Sequence, residues 1–388
     1  MSGQKKKLLV WLLFFVAMTC LYFWKLPQEM ADFEVFYRAG RRCLSAEPLY
    51  VTADGHYQFK YPPFFAALMV PLALLPYAAA RLLWFWLVLA ALAGIFILSL
   101  RLLFWRRRRR WLLLLVPLLV LGRFYIRELN LGQANALMNV LLLLSMALLL
   151  SGRGGLSGLA LSLAAIVKPY ALIFIPYLAW RRQIRALLAA AAGWALFLLA
   201  PVIFYGWAGN VGLLHSWRAT LAQSSTVLFD SFDNTSLLGM LSKWLGSNEF
   251  AMLAPLLLVL AGLLYAALLF SPSRESKPRA LLIDGAALLI LIPLFSPLGW
   301  DYTFLSATLA VMVLVDGFSG QPFWARAATV VSMAVVGGLI YDVWGRVVYL
   351  RLQHASVITP AFVVLFLVLL NLKRQPAADP DLPRRSED

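Results

Sequence analysis

Apolar runs long enough to cross a bilayer recur along almost the whole chain. Crossing takes about 20 apolar residues, with a range near 17–25. In hydrocarbon every backbone amide must find its partner inside the protein, so a chain of this pattern can only be a helical bundle or a closed barrel. Continuous rather than alternating runs select helices. With 62% hydrophobic and 13% charged residues the sequence also lies far from the water-soluble range. The reading is one all-α polytopic membrane domain over 1–372, followed by a Pro-rich, charged tail, 373–388, of disordered composition.

The net charge of +16 does not point to nucleic acid. The basic residues stand in short clusters between apolar runs: Lys5–Lys7, Arg106–Arg110, Arg181 with Arg182 and Arg185, and Lys373 with Arg374. That is the distribution of cations retained at cytoplasmic span ends. The first run continues to Trp24 without a small-residue cleavage site and reads as an uncleaved span.

Candidate spans are 8–24, 82–104, 111–124, 134–150, 155–167, 169–180, 186–205, 250–270, 280–295, 302–316, 324–341 and 357–372, about 12 in all. Both termini are then cytoplasmic. The proline-rich segment 61–76 would put Arg106–Arg110 on the outside if it crossed, so it is read as lying in the outer interface. Cys20 and Cys43 fall in the first run and the loop after it, and no disulfide is expected. His56, His215 and His354 share no ligand spacing.

Polar chemistry gathers in the loops assigned outside. Loop 25–61 carries five basic and five acidic residues, a balance that serves no topological purpose. Loop 206–249 alternates polar and aromatic residues in amphipathic stretches suited to an interface. Glu34 and Arg38 are spaced as a helical pair. Asp32 has no such partner; it is either an N-cap or a carboxylate whose proton affinity desolvation raises toward general-base use. "FKYPPFF" (59–65) offers Lys60 and Tyr61 as substrate contacts, or only a rigid proline corner.

In "RFYIRELNLGQANALMN" (123–139), Arg123 and Arg127 are cations on the side where topology does not want them, and need an anion. Gln133 and Asn135 stand near bilayer depth, as helix-to-helix hydrogen bonds or substrate contacts. Lys168, in "AAIVKPYALIF" (164–174), is a costly intramembrane cation whose following proline opens the helix toward a phosphate. "DNTSLLGML" (233–241) offers Asn234 and Ser236 as caps or contacts. "FSPLGWDYTFL" (295–305) presents Trp300, Asp301 and Tyr302, as interfacial anchors and an N-cap or as substrate groups.

Taken in order, Asp32–Phe33 with Tyr37, "GRRCLSAEPLY" (40–50), "YPPF" (61–64), "LGQANALMNVLLLL" (131–144), "VKPYAL" (167–172), "NTSLLGML" (234–241) and "SPLGWDY" (296–302) resemble the polyprenol-phosphate-dependent GT-C glycosyltransferases. The closer resemblance is to glycosyltransferase family 87, the DUF2029 group, which contains polyprenyl-phosphate-mannose-dependent mannosyltransferases. It implies a GT-C fold with juxtamembrane helices in a long first outer loop, sited in a bacterial plasma membrane. It also implies an inverting transferase moving a hexose, mannose in the type members, from a polyprenyl-phosphate donor to a glycolipid or glycan acceptor on the outer face. Asp32 matches the family's base, and Tyr37 belongs to the same motif. Where members often carry histidines after the tryptophan, this chain has Asp301 and Tyr302.

On this reading Lys168, with Arg123 or Arg127, holds the donor phosphate. Tyr37, Lys60, Tyr61, Gln133, Asn135, Asn234, Ser236, Trp300, Asp301 and Tyr302 line the substrate space. No DxD-type metal motif stands in the outer loops, so no cofactor is expected, a divalent metal being the alternative. Other lipid-linked sugars (aminoarabinose, galacturonic acid, arabinofuranose) are alternative donors, and a lipid or sugar transporter or flippase is the alternative class. A membrane-impermeant thiol reagent should label a cysteine placed at Asp32 from the outside of intact cells; labelling only after the membrane is opened reverses the topology.

Overall fold

The computed structural model describes residues 16–20, 22–24, 30–104, 108–274 and 276–375. Most of the expected first span 8–24, the Lys5–Lys7 cluster, Arg106 with Arg107, and the tail from 376 lie outside the described residues. Among the described residues the chain is helical, without strands, and carries one isolated bridge between Asn234 and Trp300.

The first described helix after the N-terminal run, α1 (Ala31–Leu44), is amphipathic. Phe33, Phe36, Tyr37 and Gly40 recur at helical spacing and are all buried. Asp32 and Glu34 stand in its first turn and Arg41 and Arg42 in its last, each sign at the favoured end of the helix dipole. A 3₁₀ turn, Thr52–Tyr57, leads on to α2 (Pro63–Ala73), which opens on Pro62 and Pro63 as the sequence predicts. The two helices lie together where Gly40 meets the Met69 backbone; a Cβ there would stand 2.8 Å from the Met69 carbonyl oxygen. The 11 residues of α2 rise about 16 Å, half of a hydrocarbon core about 30 Å thick, so this helix is too short to cross.

Then follow α3 (Tyr77–Leu102), α4 (Arg110–Leu131), α5 (Asn135–Leu150), α6 (Gly154–Val167), a 3₁₀ turn Pro169–Ile173, α7 (Phe174–Trp180), α8 (Ile184–Leu199) and α9 (Val202–Leu228). The second half holds α10 (Leu237–Leu245), α11 (Phe250–Phe270), α12 (Lys277–Phe295), a 3₁₀ turn Asp301–Ala307 running into α13 (Thr308–Gly317), then α14 (Phe323–Gly338), α15 (Tyr341–His354) and α16 (Ile358–Arg374).

Four of these runs are long and apolar enough to cross singly: α3, α11, α12 and Asp301–Gly320. Three further candidates are bent pairs, α4 with α5 at 119°, α8 with α9 at 94° and α14 with α15 at 101°, giving up to seven among the described residues. The sequence divides the chain more finely because several of its segments, 155–167 and 169–180 among them, are helices shorter than a full crossing. About half of the 206–249 loop is the body of α9 beyond a kink at Gly206, and α10 supplies a second, short amphipathic helix.

α12 is the central helix: nearly every residue from Arg279 to Leu294 is buried. α11 runs along the outside, with 17% of its span window buried. α5, α6 and α8 pack in succession. Gly158 of α6 lies on the Ala186 and Ala190 backbone of α8, and Gly193 of α8 on Ser162, the small-residue contact by which apolar helices approach closely.

One glycine ties α1 to this bundle. Gly132, between α4 and α5, has φ +65°, and a Cβ there would stand 2.8 Å from Phe33 Cβ and 2.9 Å from Met30 Cε. Its carbonyl accepts from Trp84 Nε1 at 2.7 Å, while the Met30 amide donates to the Asn130 carbonyl at 2.7 Å. Gly132→Ala therefore meets both a left-handed backbone cost of about 1–2 kcal/mol and a collision. Gly152→Ala, at φ +74° with open space around it, meets only the first. Thermal midpoints of the purified proteins should fall further for Gly132→Ala; equal losses would remove the collision from the account.

Candidate active site

The docking of α1 on the Gly132 turn delivers Asp32 to Gln133. The Gln133 amide donates to Asp32 Oδ2 at 2.8 Å, and its Oε1 accepts from the Tyr61 hydroxyl at 3.0 Å. Gln133 is thereby fixed from two sides and presents its N–H to the carboxylate. Asp32 is not the cap of α1. Met30 occupies that position in left-handed conformation, and the Asp32 side chain is left for Gln133. Burial holds the Asp32 carboxyl above its ordinary value of 3.8; the Gln133 bond and the charges of Lys168, His56 and Lys60 pull the other way. Glu34 and Arg38 pair at 3.9 Å, as their spacing predicts.

Lys168 sits where α6 ends, in extended conformation before Pro169. Its ammonium is 5.6 Å from the centre of the Tyr61 ring and within electrostatic reach of both Asp32 and Glu128. Among the described residues no carboxylate lies within ion-pair distance of it. Lys168 is 8% exposed, so its ammonium is held away from water. Lys60 completes this group. Its charge reaches Asp32, burial lowers its own proton affinity, and its carbonyl accepts from Trp217 at 3.1 Å.

Glu128 is the residue the sequence reading passed over. It is fully buried and accepts from Asn135 Nδ2 at 2.7 Å and the Ala136 amide at 2.8 Å. It thus caps the start of α5 from the last turn of α4. The signal was available, since an ionisable residue within an apolar helix is a functional candidate by default. Asn135 serves this cap, with its Oδ1 buried and without a hydrogen-bond partner among the described residues.

A second charged group lies beside the first. Asp301 takes Arg127 Nη1 at 2.8 Å and Arg123 Nη1 at 3.6 Å, and Arg127 also reaches Asp233 at 3.1 Å. Asp301 is therefore an ion-pair partner and not a helix cap; Trp300 holds that position. The anions that the two arginines need are supplied by the protein. They are not equally committed: Arg127 bridges two carboxylates, whereas Arg123 keeps Nε and Nη2 buried without a hydrogen bond among the described residues. Tyr302, buried beneath Arg127 at 5.4 Å, feels Asp32, Glu128 and Asp301 together and so joins the two groups.

Three expected contacts belong to the scaffold. Asn234 donates to the carbonyls of Phe229 and Pro297 at 2.7 and 2.8 Å and accepts from the Ser236 and Gly299 amides at 3.1 and 3.0 Å. Its hydrogen-bonding capacity is spent on stitching 234–236 to 297–300, and nothing remains for a substrate. Ser236 caps α10 by accepting from Gly239 at 3.1 Å. The Tyr37 hydroxyl donates to the Leu75 carbonyl at 2.8 Å. Trp300 uses its backbone in the bridge to Asn234, and its side chain is half-buried.

The sequence profile of glycosyltransferase family 87 matches residues 59–297, well over half of the chain. The chain belongs to glycosyltransferase family 87. It is accordingly a transferase of sugars carried on apolar helices. No curated protein sequence matches the chain. The matched segment of this family 87 protein includes Lys60, Tyr61, Arg123, Arg127, Glu128, Gln133, Asn135, Lys168, Asn234 and Ser236. Asp32, Tyr37 and Trp300–Tyr302 fall outside it and join the site through the contacts above.

The Asp32 environment has a consequence independent of turnover. In the unfolded chain its carboxyl ionises near 3.8; in the fold it ionises only at a higher pH. As pH rises from 3.8 through the folded value the unfolded state releases its proton first, so stability falls across that window and stays reduced above it. Asp32→Asn should be more heat-stable than the parent at pH 7, and the gap should close toward pH 4. A gap independent of pH would show that the carboxylate is not desolvated.

Proposed function

We propose that this family 87 enzyme transfers a hexose, with mannose the first candidate, from a polyprenyl-phosphate donor to a glycolipid or glycan hydroxyl, with inversion. The observation that carries the reading is the pairing of a desolvated carboxylate, Asp32 on Gln133, with Lys168, a nearby buried cation that has no ion-pair partner among the described residues. The first suits a base and the second suits a departing phosphate.

In the proposed step, Asp32 takes the proton of the acceptor hydroxyl as its oxygen bonds to the anomeric carbon. The bond from that carbon to the phosphate oxygen breaks on the opposite face, and the electron pair leaves with the phosphate. Positive charge builds on the sugar as in glycoside hydrolysis. Lys168 meets the growing phosphate charge, and Arg123, with two unengaged nitrogens, is the better placed of the two arginines to assist it. Arg127 is assigned to holding Asp301 and Asp233 in place. Gln133 orients the base, and Tyr61 fixes Gln133.

The site belongs, on this proposal, on the outer face of a bacterial plasma membrane, with both termini cytoplasmic. A lipid-borne donor fits that location, because the apolar carrier brings activated sugar to a compartment without nucleotide sugars.

Asp32→Asn should lower transfer by about 10²–10⁴-fold, the usual share of a general base, with expression retained. Full activity in that variant would end the base assignment. Lys168→Ala should raise KM for the donor and leave KM for the acceptor unchanged; unaltered kinetics at limiting donor would take Lys168 out of the site. Both are read with polyprenyl-phosphate sugars as donors in purified protein, and a panel of such donors identifies the sugar.

A further inference from the structure

The direction of the Gln133 amide decides how the base is held. Its Oε1 takes two donors, the Tyr61 hydroxyl at 3.0 Å and the Ala134 backbone amide at 3.2 Å. A backbone amide can only donate, so that end of the side chain is the oxygen. Turned over, Gln133 would set its NH₂ against the Ala134 N–H and its oxygen against the Asp32 carboxylate. Both mismatches would fall on a buried amide, where an unmet polar group is costly. Nε2 therefore faces Asp32 and donates to Oδ2 at 2.8 Å. Among the described residues no other side-chain hydrogen bond is made to Asp32, and Oδ1 is left open.

Tyr61 reaches both halves of the site. Its hydroxyl ends on Gln133, and its ring centre lies 5.6 Å from the Lys168 ammonium, within the range of a cation–π contact. The ring stacks on Phe65 at 4.8 Å and meets Phe36 edge-on at 4.8 Å. The Tyr61 carbonyl accepts from the Tyr50 hydroxyl at 2.8 Å. Side chain and backbone are both pinned. Burial holds the Tyr61 hydroxyl well above the usual tyrosine range, so it stays a donor at working pH.

We infer that Tyr61 is a positioning residue shared by the base and the phosphate cation. Its hydroxyl keeps Gln133 turned so that Asp32 is anchored through Oδ2 and takes the acceptor's proton on Oδ1, and its ring seats the Lys168 ammonium. The inference rests on the transferase reading. It adds the atom that receives the proton and the residue that serves both ends of the displacement.

Two substitutions separate the two roles. Tyr61→Phe keeps the ring and its packing but frees the Gln133 amide to turn. Asp32 then loses a donor that favours its charged form and ionises at a higher pH. The acid limb of kcat/KM should move up by about one pH unit, and kcat at pH 7 should fall about tenfold, with KM for a polyprenyl-phosphate sugar unchanged. Tyr61→Leu removes the ring as well and should raise that KM about three- to tenfold. Gln133→Met should reproduce the Tyr61→Phe shift, and combining the two should change kcat no further than Gln133→Met alone. The other charged and titratable groups about Asp32, namely His56 of the 52–57 turn, Lys60, Lys168 and Tyr302, stay in place throughout. Ionisation of Asp32 is also followed without turnover, as the carboxyl infrared band that Asp32→Asn abolishes. A parent inactive on every polyprenyl-phosphate sugar ends the transferase reading, while a shift of this band in Tyr61→Phe still upholds the hold on Asp32. The inference is overturned if Tyr61→Phe moves neither the pH profile nor the band, if the losses of Tyr61→Phe and Gln133→Met add, or if Tyr61→Leu and Tyr61→Phe share one donor KM.

Discussion

The chain turns from α4 into α5 within four residues, by 119°, through buried residues whose freed amides must find partners within the protein. Glu128 answers that constraint by accepting from the Ala136 amide and the Asn135 side chain. Gly132 answers the steric half, since its left-handed backbone lets Phe33 and Met30 close on it. Without this capped turn, α1 has no seat and Gln133 has no fixed direction. The position of Asp32 therefore depends on a buried carboxylate that need not itself touch a substrate.

From that turn the site divides into two electrostatic groups with different degrees of completion. Around Asp301 charge is internally balanced, with Arg127 bound on two sides. Around Asp32 it is not: a desolvated acid and a buried lysine lie within electrostatic reach of one another without forming an ion pair. Leaving opposite charges unpaired is costly in a low-dielectric setting. Tyr302 feels the charges of both groups.

Much of this was legible in the sequence, for identifiable reasons. Lys168 announced itself as a cation amid apolar residues, and Pro169 opened the helix there as expected. The pairing of Glu34 with Arg38 and the proline start of α2 are local matters of spacing, and both were readable. What failed to show was every contact between distant segments. Nothing local tells that Arg123 and Arg127 find their anions at Asp301 and Asp233, or that Asn234 is consumed by the 297–300 turn. For Asp32 and Asp301 an N-cap stood open beside a functional role, because capping is a local property and their partners are remote. Glu128 was overlooked among conspicuous arginines, although the rule that singled out Lys168 applies equally to it. The number of crossings was the least readable feature, since a break in an apolar helix looks the same whether it ends a span or bends one.

Far from the site, Asp284 of α12 is fully buried and held by Lys373, at 2.7 Å, by Arg181, and by the Tyr177 hydroxyl at 2.9 Å. One negative charge in the central helix is thus shared by cations from the middle and the very end of the chain. During biosynthesis Arg181 is already made when α12 emerges, but Lys373 is not. Arg181 alone balances the charge of Asp284, so Lys373 arrives as a second cation on one carboxylate, and the ion pair that fastens α16 to the central helix forms last.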